Sequence, residues 1–98
     1  MTAQRPNPQQ QADDPRTPPE QLRRLAQQSI ELAQVVAQNP SADSQILQKL
    51  ALSSDPTISQ RVASNPNTPR NFLLKLGEEF PEQLLDNPIF PLLIMEPN

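Results

Sequence analysis

Apolar positions along this chain come in short bursts with helical spacing, separated by polar corners. Leu22, Leu25 and Ala26 stand at i, i+3 and i+4, and Leu32, Val35 and Val36 follow after a polar break. Ile46, Leu47, Leu50 and Ala51 repeat the first burst, and Ile58 and Val62 repeat the second. A further round runs through Phe72, Leu73 and Leu76, turns at Gly77 and re-enters at Phe80, Leu84 and Leu85. An apolar stripe at that spacing predicts a helix that buries one face. No segment alternates apolar and polar over a useful length, so strands are not expected. Each second segment spans about two turns, short enough to be partly 3₁₀.

The bursts keep step with a recurring dipeptide: Asp14-Pro15, Asn39-Pro40, Asn65-Pro66 and Asn87-Pro88. Leu22, Leu47 and Leu73 match in this register, as do Leu25, Leu50 and Leu76, then Ala26, Ala51 and Gly77, then Val36, Val62 and Leu84. A period of about 20–50 residues marks a solenoid, whose units each bury half a core and must stack. Proline disfavours helical geometry for the residue before it, so each dipeptide is a corner between units. Thr17-Pro18-Pro19-Glu20 predicts a helix start with Thr17 as cap, Pro18 in the first turn and Glu20 closing a capping box. Thr68-Pro69 and Asp55-Pro56 predict starts of the same kind. The last round is shorter by four residues, and the loss falls between Leu76 and Phe80, in the linker. The fold expected is all-α: a solenoid of about three repeats over residues 14–88.

Composition adds the ends. Residues 1–13 hold no large apolar side chain beyond Met1 and are rich in Gln and Pro, which predicts a disordered tail. Residues 89–98 open with Ile89-Phe90-Pro91-Leu92-Leu93-Ile94-Met95, an apolar segment that is either a lid on the last unit or the start of another repeat. The 13 prolines stand beside a single glycine, because most of them sit at helix starts rather than in loops. All eight basic residues lie in 1–77 against six acidic ones, whereas 78–98 carry five acidic residues and no basic one. The two ends of an elongated stack therefore differ in sign. No apolar run is long enough for a membrane span or a signal peptide, so a cytoplasmic, soluble protein is expected.

The pattern Asn-Pro-x-Thr-Pro-x-x-x-Leu-x-x-Leu, with Val-Ala-x-Asn-Pro closing a unit, resembles the leucine-rich repeat variant family. Residues 65–76 (NPNTPRNFLLKL) and 62–66 (VASNP) carry it most closely, and the resemblance extends over roughly 14–88. It implies a right-handed superhelix of alternating α- and 3₁₀-helices that serves as a binding scaffold. Some members of that family hold a cysteine-bound iron–sulfur cluster beside the repeats. This chain has no cysteine, so that feature is absent.

Candidate chemistry is sparse. With neither cysteine nor histidine there is no thiolate or imidazole to serve as nucleophile, base or metal ligand. The carboxylate neighbours Asp13-Asp14 and Glu78-Glu79 lack any companion for catalysis, so no enzyme activity, cofactor or metal is expected. Columns of equivalent positions carry the partner-binding candidates. Arg24, Lys49 and Lys75 each precede an inward Leu and form a cationic column. Gln34, Gln60 and Glu82, with Arg61 beside them, form a second, amide-rich column. Long charged side chains also simply cover helix surface, and surface amides are ordinarily solvated. The Asn of each corner is read as fixing its turn. A protein or peptide partner fits best. A structural spacer within a longer chain is the first alternative, and nucleic-acid binding through Arg24, Lys49 and Lys75 the second. Nucleic acid is disfavoured by the net charge of −3 and the lack of Trp and Tyr for stacking. Weak self-association through residues 89–95 is expected if that segment stays exposed.

Overall fold

A computed structural model describes residues 7–95, all of whose regular structure is α-helical. The helices are α1 (Pro8–Asp13), α2 (Pro19–Gln28), α3 (Ile30–Ala37), α4 (Ser44–Ala51), α5 (Pro56–Ser64), α6 (Arg70–Glu79), α7 (Pro81–Asp86) and α8 (Phe90–Met95). They pack in a repeat-like order. The first helix after each corner, α2, α4 or α6, lies against the second, α3, α5 or α7. Along the stack α1, α3, α5 and α7 form one closely packed row, while α4 and α6 touch only slightly in the other. The result is an elongated body of 58 × 24 × 20 Å.

The core lies between the rows. Leu22, Leu25, Ile46, Leu47, Leu50, Leu73 and Leu76 face it from the first row. Ala12, Ala33, Val36, Ala37, Ile58, Val62 and Ala63 face it from the second. Leucine fills the wider first row, and alanine lets second-row backbones approach closely. The columns Leu22, Leu47, Leu73 and Leu25, Leu50, Leu76 are buried, as are Ile46, Ile58, Val36 and Val62, whereas Ala26, Leu32, Val35, Ala51, Phe72, Gly77, Phe80 and Leu84 are half-buried and Leu85 is 61% exposed.

Each corner asparagine ties its unit to the one before. Asn39 Nδ2 donates to the carbonyls of Ala12 (2.7 Å) and Asp14 (3.0 Å). Asn65 Nδ2 donates in the same way to Ala37 (2.9 Å) and Asn39 (3.1 Å), and Asn87 Nδ2 to Ala63 (2.9 Å) and Asn65 (3.1 Å). The Oδ1 of each accepts the amide two residues on, from Ser41, Asn67 and Ile89. The asparagines do fix their turns, yet half of their bonding capacity runs between units. All three are at least 97% buried, and no buried side-chain polar atom among the described residues lacks a partner. The first corner is Asp14, which keeps the local turn by accepting the Arg16 amide but has no hydrogen to give to a preceding unit. Arg16, through its side chain and then its amide, holds the Asp14 carboxyl below the usual carboxylate range.

Several local expectations change. Residues 8–13 are not a disordered tail: they form α1, started by a capping box between Asn7 and Gln10 and sealed by burial of Ala12. Residues 1–6 lie outside the described residues. Thr17 and Thr68 do not cap their helices, which begin after Pro18 and Pro69 as the residues in the cap position. Their hydroxyls point backwards instead, donating to the carbonyls of Gln11 and Val62 at 2.7 Å. The capping box at Glu20 is therefore not made. Asp55 caps α5 as expected, accepting from the amides of Thr57 and Ile58, and Asp43 and Ser29 cap α4 and α3. The second helices are α throughout rather than 3₁₀, because side-chain caps at Ser29 and Asp55 let α3 and α5 run for 8 and 9 residues.

Gly77 is no turn; it lies inside α6, and the chain turns at Phe80. A Cβ there would stand 2.3 Å from Leu84 Cδ2, so glycine lets α7 press against α6. The four-residue shortening removes the first turn of the second helix, leaving α7 at six residues. Beyond it, the apolar segment 89–95 leaves the Asn87 corner as helix α8, which rests on α7.

Candidate partner-binding face

The loose first row leaves two seams, at equivalent places. Between α2 and α4 lies a small groove of about 90 Å³ whose lining includes Ala26, Ile46 and Leu50, with Arg23 and Lys49 at its rim. Between α4 and α6 lies a groove of about 370 Å³ lined by Ala51, Leu52, Phe72, Lys75, Leu76 and Glu79. Helix register explains the likeness: Lys49 and Lys75 each immediately precede a floor leucine, so each ammonium stands over its own apolar slot. Leu52, just past the end of α4, is 79% exposed and leaves the larger groove open.

The cationic column is thus built only in part. Lys49 and Lys75 are exposed groove residues, but Arg24 pairs with Glu20 one turn earlier in α2 (3.7 Å) and lines neither groove. Arg23, which sequence reasoning passed over, takes the groove position and donates to Gln45 of α4. Its signal was weak: Arg23 and Arg24 are neighbours, and only the helix phase decides which one meets the next unit.

The second column does not assemble into one site. Gln34 Nε2 donates to Asp55 (3.4 Å), so it links α3 to the cap of α5. Gln60 is half-buried, and Glu82 is exposed near the far end of the molecule. Arg61 borders a separate hollow of about 230 Å³ beside the corners, with Gln38, Pro40, Ser64, Asn65 and Pro66. A further polar hollow of about 310 Å³ sits between α1 and α3, lined by Asn7, Gln9, Gln10, Asp13, Val35 and Gln38. Neither offers an apolar anchor comparable with Leu52 and Phe72.

The sequence model of the Leucine Rich Repeat Variant domain matches residues 6–66. The chain belongs to this family. The match takes in α1, in agreement with its place as an ordered part of the stack, and ends at the Asn65 corner. No curated protein and no solved structure matches the chain at a significant level. Among the described residues, no helix is long and apolar enough to cross a membrane.

Proposed function

We propose that this leucine-rich repeat variant domain is a non-catalytic scaffold, a right-handed solenoid of about three repeats, that binds a protein segment along its first helix row. The observation that carries the reading is the pair of equivalent seams, each with an apolar floor and a rim lysine in the same register. A segment suited to them carries Leu- or Phe-like anchors flanked by carboxylates. The apolar contacts supply most of the affinity, and the lysines select the flanking charge and speed encounter. Phosphate-backbone binding would need a longer cationic track than Arg23, Lys49 and Lys75 provide once Arg24 is paired.

Selection from a random displayed-peptide library tests this. Enriched peptides should combine Leu or Phe with Asp or Glu and should bind the full chain but not K49E/K75E, whose melting stays at the wild-type value. Failure to enrich any peptide, or enrichment of peptides that bind both proteins equally, would overturn the assignment to this face.

A further inference from the structure

The far end of the stack carries the chemistry that those grooves lack. On α7, Glu82, Leu85 and Asp86 fall at i, i+3 and i+4 and are all exposed, and Leu92 of α8 is 65% exposed beyond them. These positions depart from the interior units in a particular way. Two residues before each earlier corner stands an alanine, Ala12, Ala37 or Ala63, fully buried by the unit that follows. Before the Asn87 corner the residue is Leu85, 61% exposed. Where α3 offers Gln34 to Asp55 at the head of the next helix of its row, the equivalent residue of α7 is Glu82. A further unit stacked in the same way would bury a bulky leucine and a carboxylate where alanine and an amide fit. Among the described residues Leu85 and Leu92, with their acidic flanks, stand exposed at this end.

We infer that this end is a docking surface for a second copy of the chain, seated in the first-row grooves of its neighbour. Charge complementarity carries the choice of occupant. Glu82 and Asp86 flank Leu85 on this end and residues 78–98 hold no basic side chain, while the grooves present Arg23, Lys49 and Lys75 over apolar floors, with Glu79 the one acidic residue in their lining. Leu85 and Leu92 supply the apolar anchors, with Glu82 and Asp86 meeting the rim lysines. Pairing two copies of the same end would instead bring Glu82 and Asp86 against their own counterparts. Stacking the end on the other pole would bring it to Asp13 and to Asp14, which has no amide to extend the ladder. The contact joins unlike patches, so successive copies add head to side rather than closing as a symmetric pair. The inference rests on the proposed role of the grooves, and names a second copy as an occupant.

Sedimentation velocity of the full-length chain over a wide concentration range tests it. Wild type should gain mass progressively with concentration, and high salt should weaken that gain several-fold. K49E/K75E keeps the end but loses the grooves, and L85S/L92S keeps the grooves but loses the end. Each alone should remain monomeric with unchanged helicity, and an equimolar mixture should form a complex that stops at the dimer, because only one productive contact is left. E82K/D86K should behave like L85S/L92S, which separates loss of the surface from any effect of serine on α8. A monomeric wild type, or a mixture that fails to associate, would overturn the inference. If displayed peptides still bind through Lys49 and Lys75 in that case, the groove assignment stands without it. Association that persists in K49E/K75E alone would place the contact elsewhere and equally overturn it.

Discussion

The two helix rows share one sequence period but use it for opposite purposes. In the row of α1, α3, α5 and α7 the recurring residues are small or amide-bearing: Ala12, Ala37 and Ala63 admit close packing, and Asn39, Asn65 and Asn87 tie each corner to the last. In the row of α2, α4 and α6 the recurring residues are leucines facing inward and the cations Arg24, Lys49 and Lys75 facing out, and the helices stand apart over grooves. One row is a hydrogen-bonded spine and the other an open, grooved face. A solenoid can hold a fixed shape through the first while leaving the second free to vary for a partner.

The sharpest way to break that contrast is to change one spine amide into a carboxylate. N65D removes two donors from buried carbonyls and places a charge among oxygen acceptors, which should cost more than about 3 kcal/mol. That is a large share of the stability of a domain of this size. Burial against the carbonyls of Ala37 and Asn39, with only the Asn67 amide donating to it, raises the folded carboxyl above its unfolded value of about 3.9. The charge part of the penalty is therefore absent below that pH, grows as pH rises through it, and levels off above the folded value. N65D should be unfolded at neutral pH by circular dichroism and regain helix on acidification. The reverse exchange at the first corner, D14N, should shift stability by no more than about 0.5 kcal/mol, since the local turn survives. Equal effects at the two corners would show that the ladder does not bear on stability.

The spine was only half legible in the sequence. Period and proline placed every corner, and a turn-fixing role for Asn followed from its chemistry. That the amide also crosses to the preceding corner is invisible to a local argument. The one hint lay in Asp14, the single corner where a donor is not required. The helix α1 was hidden by its composition, because one buried residue, Ala12, does not make an apolar stripe; Asn7-Pro8 with Gln10 was the signal available. Thr17 and Thr68 misled because a threonine before a proline satisfies the cap pattern whichever way its hydroxyl turns. On the grooved face, Lys49 and Lys75 of the cationic column line the seams, but only helix phase could choose Arg23 over Arg24. In the amide column Gln34 joins α3 to the cap of α5 while Glu82 is exposed, since equivalent positions in a stack meet different neighbours at its middle and its end.

A smaller effect separates the two sides of one first-row helix. Leu47 is fully buried in α4, and Leu52 just beyond its end is 79% exposed over the larger groove. L47A should cost about 2–5 kcal/mol by lost burial and the cavity left behind. L52A should stay within about 0.5 kcal/mol and weaken peptide binding instead. Denaturant midpoints and peptide titrations on both variants would check this. A stability loss at Leu52 comparable with that at Leu47 would mean the groove is packed core rather than an open face.

The smallest expected effect lies where α6 packs on α7. Gly77 in α6 faces Leu84 of α7, with room for no Cβ at the observed separation. Alanine in place of glycine inside a helix gains about 1 kcal/mol from backbone preference. Forcing Leu84 aside costs about 1–3 kcal/mol by overpacking, although its Cδ2 is the flexible end of a half-buried side chain. G77A alone should therefore be slightly destabilising. L84A opens the space, so in that background the same substitution should show its full helix gain and become stabilising. A thermodynamic cycle over wild type, G77A, L84A and the double variant isolates the coupling, expected at about 1–3 kcal/mol. A coupling near zero would show that α6 and α7 are held apart by something other than this contact, and that glycine at position 77 answers to helix geometry alone.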